Sequence, residues 1–178
     1  MVDGYVATTM EAIAREAGVA RQTVYQAGTS KADLMHRVID VAVGGDDDEL
    51  LLQDRQGFAE IGAESDPVRQ LELLAALMAS IRARMGPVWV AFREAAVVDP
   101  KATELMAWSH ERSRETFAAA IRLIREESLS CAYSEAADTA WAIGSLDVYL
   151  LLTGPCGWSH RKYADWLQRS FVAQLVRS

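Results

Sequence analysis

Three adjacent polar side chains, Arg21, Gln22 and Thr23, follow shortly after a glycine at position 18. A guanidinium can form two hydrogen bonds with guanine or bind a phosphate, and a carboxamide can form two with adenine. The methyl groups of threonine and alanine suit the methyl group of thymine. Such side chains contact base edges when they occupy the N-terminal end of a helix that enters the major groove. The pattern therefore makes residues 20–25 a candidate DNA-contacting surface.

Phosphate contacts require hydroxyl, ammonium or backbone N–H donors close to helix ends, where they meet the DNA backbone. Thr9, Tyr25 and Lys31 carry such donors beside the ends of predicted helices. The candidate DNA-binding residues are Thr9, Ala20, Arg21, Gln22, Thr23, Tyr25 and Lys31.

Two short helices joined by a tight turn must position these residues. The i, i+3, i+4, i+7 spacing of apolar residues over 10–17 predicts a helix that Thr8 or Thr9 caps and Gly18 ends. A second helix follows over about residues 20–27, so the segment has the pattern of a helix-turn-helix. By geometry alone its role stays open, because such corners also occur in proteins that bind no DNA.

A third helix is predicted from Ser30 to the glycine pair at positions 44 and 45. We expect Val19 and Val24 to face inward and to join Ile13 in a small core. The residues predicted to be buried on the third helix are Leu34, Met35, Val38, Ile39 and Ala42.

The segment TTMEAIAREAGVARQTVYQAGTSKADL, residues 8–34, resembles the DNA-binding segment of the TetR family of transcriptional regulators. A second stretch near the C-terminus, GWSHRKYADWLQRSF, resembles the last helix of a common TetR-type regulatory domain. The residues of the first segment that match the family pattern are Thr9, Ile13, Ala14, Ala17, Gly18, Val19, Thr23, Tyr25, Lys31 and Leu34.

This resemblance implies a transcriptional repressor that binds a palindromic operator on double-stranded DNA as a homodimer. It also implies that a small-molecule effector releases the protein from DNA. The effector would favour one arrangement of the helices and move the helix around residues 31–43. This movement would change the spacing between the two readers, the helix-turn-helix segments of the two subunits.

Two positions depart from the family pattern. Gly28 stands where the family usually has an aromatic residue, and MVDGY resembles only the tail of the full helix that precedes Gly4-Tyr5 in family members. The missing helix normally completes the small core, so its absence predicts a loosely held reader. The alternative function is therefore a helical dimeric module that binds a ligand or partner and has lost DNA binding.

The rest of the chain predicts an all-α fold of about eight helices, because no alternating strand pattern occurs. Asp66-Pro67 and Asp99-Pro100 are helix starts, and Gly86-Pro87 predicts a break between them. The last two helices are predicted over about 134–152 and 160–176. We divide the chain into a helix-turn-helix domain, 1–45, and a regulatory and dimerisation domain, 46–178.

The resemblance assigns dimer contacts to the last two helices and an effector cavity to the interior of the regulatory domain. The double-faced apolar character of the first of these helices independently favours a dimer. Arg93 or Arg114 could be polar contacts of an effector that is otherwise apolar. The candidate ligand-binding residues are Trp89, Phe92, Met106 and Trp108, and the candidate dimer residues are Trp141, Leu146, Tyr149, Leu150, Trp166 and Phe171.

Other classes of protein find little support. The net charge of −7 argues against coating nucleic acid through bulk charge, and Cys131 and Cys156 lack disulfide or zinc spacing. The His110-Glu111 pair begins like a zinc helix, but Arg114 stands where the second histidine must be. We therefore expect no enzyme, cofactor or metal. With no signal peptide and no apolar run of membrane-spanning length, we expect a cytoplasmic protein without a membrane partner.

Overall fold

The computed structural model describes residues 4–48 and 51–177 and confirms an all-α fold in them. Ten α-helices occur where about eight were predicted, together with two short 3-10 helices, Leu52–Asp54 and Glu126–Ser128. Residues 1–3, which the family pattern assigns to the tail of a preceding helix, lie outside this description. The α-helices are α1 (Gly4–Ala7), α2 (Met10–Ala17), α3 (Arg21–Ala27), α4 (Lys31–Gly44), α5 (Gln56–Ala63), α6 (Pro67–Val98), α7 (Pro100–Ile121), α8 (Tyr133–Ile143), α9 (Leu146–Thr153) and α10 (His160–Leu175).

The predicted start and stop signals of the first helices are confirmed. Thr9 caps α2, because its side chain accepts a hydrogen bond from the backbone N–H of Ala12. Gly18 ends α2 with a φ of 66°, the left-handed conformation that favours glycine. Ser30 caps α4 in the same way as Thr9 caps α2, and Gly45 ends it with a φ of 91°.

Two apolar clusters hold the chain together. The small one contains Met10, Ala14 and Val24, with Ile13 and Leu34 packed against them. The predicted inward positions of Val19 and Val38 are wrong, since these side chains are 42% and 47% exposed. Val19 lies in the turn between α2 and α3, and Val38 faces solvent beside the inward face of α4 that Met35, Ile39 and Ala42 form.

The large cluster is built around α6, which contributes an inner stripe of apolar residues at helical spacing. Residues Met35, Ile39 and Ala42 of α4 and Tyr5 of α1 also belong to it. Helix α4 therefore packs in both clusters, and the division of the chain at residue 45 stays a prediction. The buried residues of the α6 stripe are Leu71, Leu74, Ala75, Met78, Ile81 and Met85.

The predicted break at Gly86-Pro87 is wrong, because α6 runs without interruption from Pro67 to Val98. Proline removes one helical hydrogen bond and usually kinks a helix. Pro87 is exposed, however, while its neighbours Gly86 and Trp89 are buried. The packing of α6 on both sides of the proline maintains the helix through a position where local preference favours an end.

The single helix predicted over 134–152 is instead two helices, α8 and α9, that meet at Gly144 and Ser145. Arg82 on α6 donates a hydrogen bond from Nε to the carbonyl oxygen of Gly144 at 2.6 Å. Ser145 caps α9 by accepting from the N–H of Val148. A side chain on α6 and a capping hydroxyl thus stabilise a corner that the apolar pattern alone does not reveal.

Replacing Gly144 by alanine should destabilise the fold. A Cβ at this position would lie 2.7 Å from Cζ of the buried Phe117 ring and 3.0 Å from the carbonyl oxygen of Ala140. We expect the free energy of unfolding, measured by urea denaturation, to fall by about 1–3 kcal/mol.

The matched control is Gly62→Ala, because a Cβ there comes no closer than 3.8 Å to Leu123. That variant should unfold at the same urea concentration as the parent or slightly above it. Equal stability of Gly144→Ala and the parent would show that the corner has room for a side chain.

Helix α6 is also long and apolar enough to cross a membrane, by length and composition only. Half of its most apolar stretch is buried inside the fold. Core helices commonly have this property, so it is weak support for a membrane span.

Candidate nucleic-acid interface and adjoining cavity

Helix α3 presents almost all of its surface to solvent. Val24 is its one buried residue and anchors it to α2. The candidate base-contacting residues Ala20, Arg21, Gln22 and Thr23 are all exposed and lie at the N-terminal end of α3. This end is free to approach a groove in DNA, as a helix-turn-helix requires.

Arg21 is already held by two neighbours. Its Nη2 lies 2.7 Å from the Glu11 carboxylate on α2 and 3.3 Å from the hydroxyl of Tyr25. The hydrogen bond to Tyr25, followed by the charge of Glu11, raises the pKa of Arg21. A phosphate or guanine must therefore compete with Glu11 for this guanidinium.

Two other candidate DNA contacts have structural roles in the fold. Thr9 is exposed but serves as the N-cap of α2. The ammonium group of Lys31 donates to the carbonyl oxygens of Tyr5 at 2.7 Å and Val6 at 3.5 Å, and it lies over the Tyr5 ring. Lys31 thus holds α1 in place, and its contact with phosphate stays a prediction.

Helix α1 is fastened to the large core by Tyr5. Its side chain is buried, and its hydroxyl donates a 2.7 Å hydrogen bond to Asp99, the residue that caps α7. Burial, followed by this hydrogen bond, raises the pKa of Tyr5, and the same hydrogen bond lowers the pKa of Asp99. The short helix is therefore connected to α4 by Lys31 and to the junction between α6 and α7 by Tyr5.

Replacing Tyr5 by phenylalanine should cost about 1 kcal/mol of stability near neutral pH, the usual size for a hydrogen bond to a partly solvated carboxylate. Because folding lowers the pKa of Asp99, its contribution is present above the unfolded pKa and is lost as pH falls through the folded one. The deficit should therefore be constant between about pH 5 and 8 and shrink below about pH 4.

Urea unfolding across this pH range measures the effect. Tyr25→Phe removes a hydroxyl from an exposed tyrosine that contacts Arg21 and serves as the control, with stability expected to be unchanged. A deficit of Tyr5→Phe that grew towards acid pH would contradict the assignment of Asp99 as its partner.

Gly28 lies where α3 comes closest to the first turn of α4. A Cβ on Gly28 would lie 3.0 Å from the backbone nitrogen and Cδ2 of Leu34 and 3.1 Å from Cβ of Asp33. The aromatic residue typical of the family would not fit in this arrangement without movement of α4. The glycine therefore allows a close approach between the reader and the next helix.

A cavity of about 770 Å³ lies between α4, α6, α7 and the corner of α8 and α9. Of the four candidate ligand-binding residues, Trp89 and Trp108 line it. Phe92 is fully buried in the core, and Met106 packs against that core, so neither is part of the lining. All four stay predictions as ligand contacts.

The two arginines suggested as polar contacts lie elsewhere. Arg93 pairs with Asp147 at 3.4 Å, and Arg114 forms two hydrogen bonds with Asp138. Neither lines the large cavity, whereas Arg37 and Arg82 do. Sequence reasoning missed both, because arginines at helical positions are usually solvated and nothing local marks these two.

Arg37 connects the cavity with the reader. It lines the cavity, and its Nη1 donates a 3.0 Å hydrogen bond to the carbonyl oxygen of Ala27, the last residue of α3. A cation at the C-terminus of a helix satisfies a free carbonyl and interacts favourably with the helix dipole. A single side chain therefore connects the cavity with α3.

The comparisons with known proteins agree with this geometry. The family described as "Bacterial regulatory proteins, tetR family" matches residues 2–38. The N-terminal segment belongs to the TetR family. The helix-turn-helix formed by α2 and α3 lies inside the matched segment, which confirms the resemblance stated above.

Two solved structures share the fold of this chain. One is assigned as a transcriptional regulator from Saccharomonospora viridis, in complex with choline, with 20% identity, a TM-score of 0.67 and coverage of 99% of this chain and 91% of that one. The other is the TetR family transcriptional regulator PfmR from Thermus thermophilus, with 16% identity, a TM-score of 0.58 and coverage of 97% and 92%. No curated protein sequence matches the chain.

The candidate dimer residues fall into three groups. Phe171 is fully buried and Leu146 is 8% exposed, so both contribute to the core of their own chain. Trp141 is half-buried and lines the cavity. The remaining candidates, which are half-buried on the outer parts of α9 and α10, are Tyr149, Leu150 and Trp166.

The described residues contain no group of three or more His, Cys, Asp or Glu side chains that could hold a metal ion. The matched family and both similar structures are regulators, not enzymes.

Proposed function

We propose that the protein is a transcriptional repressor that binds a palindromic operator as a homodimer and leaves it when a small molecule occupies the cavity. The observation that carries this proposal is the exposed N-terminal end of α3 inside the segment that matches the family. Arg21, Gln22 and Thr23 are there available to base edges and phosphates. The protein acts on DNA in the cytoplasm and is not an enzyme.

The apolar surface of α9 supports a dimer. Only Leu146 of this helix is buried, although most of its sequence, LDVYLLLT, is apolar. Leu151 is 58% exposed. After the end of α9, Trp158 packs edge-to-face on Trp166 of α10. Apolar residues that stay outside the core on one helix are typical of a protein interface. Two-fold symmetry through α9 and α10 would place the two readers on half-sites about 34 Å apart.

The position of the cavity supports release by a ligand. Its wall includes His36, Ile39 and Val43 of α4, and the His36 ring packs edge-to-face on Trp108 of α7 at 5.0 Å. Arg84 of α6 fixes the other end of α4 through hydrogen bonds to the carbonyl oxygens of Ala42 and Val43. A ligand that separates α4 from α7 would therefore move the start of α4.

Two contacts would transmit this movement to α3. Leu34 of α4 packs in the small cluster with Val24, and Arg37 is bonded to Ala27. The ligand needs only to bind more tightly to the arrangement whose two readers do not match the half-sites. This difference in affinity shifts the equilibrium away from the DNA-binding arrangement. The choline in the Saccharomonospora viridis protein supports a small-molecule site in this fold.

Fluorescence anisotropy of the full chain on duplex DNA from upstream of its own gene tests the proposal. We expect selective binding relative to unrelated duplex and a steep loss of affinity with salt, as phosphate contacts require. Binding without selectivity, or no binding, would contradict the proposal. It would favour a helical ligand-binding module that does not act on DNA.

A further inference from the structure

We propose that the cavity binds a small organic anion, with the carboxylate or similar group at Arg82 and an apolar body along the tryptophan-lined wall. This inference rests on the proposed function only in naming the ligand of the same cavity. It refines the apolar effector expected from the sequence by adding one buried anionic group.

Arg82 is the buried charge of the cavity wall. Its side chain lines the cavity yet is only 6% exposed, and burial lowers its pKa. None of the carboxylates in residues 4–48 and 51–177 forms an ion pair with it, although seven other arginines in that part of the chain are paired. A buried charge without a counter-charge is costly, and an anionic ligand removes that cost.

The guanidinium of Arg82 has donors to spare. Arginine has five N–H donors, and among the described residues its hydrogen bond runs from Nε to the carbonyl oxygen of Gly144. This bond fixes the corner of α8 and α9, and the guanidinium carbon lies 5.7 Å from the centre of the Phe117 ring. The corner therefore explains one donor and leaves the two Nη groups for a planar acceptor such as a carboxylate.

A second polar group of the wall lacks a partner. The Oγ of Ser109 is buried and has no hydrogen-bond partner within the described structure, and Ser109 lines the same cavity. Buried hydroxyls are normally hydrogen-bonded, so an unsatisfied one at a cavity wall suits a ligand acceptor or donor. Arg82 and Ser109 together are the polar part of a site whose other buried lining is apolar.

The acidic side chains around the cavity do not oppose this assignment, because they are exposed. Asp46 pairs with Arg55, Asp147 with Arg93, and their side chains are 54% and 62% exposed. Asp40 and Glu115, which pair with His36 and Arg112, are 60% and 58% exposed. The carboxylates around the cavity are solvated, whereas Arg82 is buried. A cationic ligand group would therefore be attracted by the exposed carboxylates and repelled by Arg82 inside the cavity.

The apolar part of the wall sets the body of the ligand. The ring centres of Trp89 and Trp141 lie 5.4 and 6.5 Å from that of the exposed His110, and Met78 and Ile81 belong to the buried apolar lining. Flat aromatic surfaces favour a flat or chain-like apolar body. The ligand class is thus an amphiphilic carboxylate.

Isothermal titration calorimetry of the full chain with three matched probes tests this inference. The probes are 2-naphthoate, 2-naphthylmethanol and 2-naphthylmethylamine, which share a body and differ in head-group charge. We expect 2-naphthoate to bind about tenfold or more tightly than the alcohol, and the ammonium probe to bind most weakly. Preference for the alcohol or the ammonium probe, or binding of none of the three, overturns the inference.

Variants then locate the head group. Arg82→Met should remove the preference for 2-naphthoate and leave the alcohol within about threefold of its parental affinity, whereas Arg82→Lys should keep part of the preference. Arg69→Met, an exposed arginine paired with Glu72 on the same helix, is the matched control and should change nothing. If Arg82→Met fails to fold, the Lys variant and the Ser109→Ala variant, which should weaken 2-naphthoate alone, decide the matter. An unchanged preference in them overturns the inference.

The DNA assay separates the two proposals. Selective naphthoate binding without operator binding would support the ligand class and contradict the repressor. Operator binding with no preference among the three probes would support the repressor and contradict the ligand class.

Discussion

Replacing Leu151 by glutamate is expected to separate the proposed dimer into monomers and to abolish operator binding. Leu151 is 58% exposed in the single chain and lies at the centre of the apolar sequence of α9. Burying an unpaired carboxylate costs about 3–5 kcal/mol, and two-fold symmetry places one in each half of the interface. The dissociation constant of the dimer should therefore rise about a hundredfold or more, measured by sedimentation equilibrium.

Val97→Glu is the control for this substitution. Val97 is 84% exposed on α6 and belongs to neither α9 nor α10, so the variant should remain dimeric. Loss of operator binding in Leu151→Glu without a change in mass would contradict an interface through α9. A shift to monomers in both variants would show that surface charge alone weakens the assembly.

Replacing Gln22 by alanine is expected to weaken selective binding to the operator by about five- to 150-fold, because a two-point contact to a base is worth about 1–3 kcal/mol. Affinity for unrelated duplex should barely change, since Gln22 carries no charge. Arg21→Ala should weaken both kinds of binding and reduce the salt slope by about one, because it removes a phosphate contact or a charged base contact. Fluorescence anisotropy over a salt series measures the affinity for the operator, the affinity for unrelated duplex and the salt slope.

Arg69→Ala removes the same charge from the exposed N-terminal part of α6 and should leave DNA affinity unchanged. If Gln22→Ala kept the full preference for the operator, base contacts would have to come from another part of the chain. If Arg21→Ala bound more tightly than the parent, the Glu11–Arg21 pair would act against DNA as a unit.

Local signals in the chain were enough to predict the helix-turn-helix formed by α2 and α3. Thr9, Gly18 and Ser30 act through local backbone preferences, and the helical spacing of Met10, Ile13 and Ala14 specifies the inward face of α2. Their positions follow from short-range interactions, so the helix-turn-helix could be predicted from about 30 residues, and the resemblance to the TetR family rests on the same segment. The inner stripe of α6 was predictable for the same reason.

Features that depend on residues far apart in the chain could not be predicted from local patterns. Pro87 lies inside a continuous helix because packing on both sides outweighs one missing hydrogen bond. The 134–152 segment turns at Gly144 because Arg82, far away along the chain, donates to its carbonyl and Phe117 leaves no room for a Cβ.

The cavity belongs to this second class. Arg37 and Arg82 look like ordinary solvated arginines in the sequence, and their roles arise only where α4, α6, α7 and α8 meet. Helical period indicates that a side chain faces inward, whereas the volume left between four helices depends on how all of them pack together. Local patterns could therefore predict which residues are candidates for DNA contact. The position of the buried Arg82 at the cavity depends instead on how the helices pack.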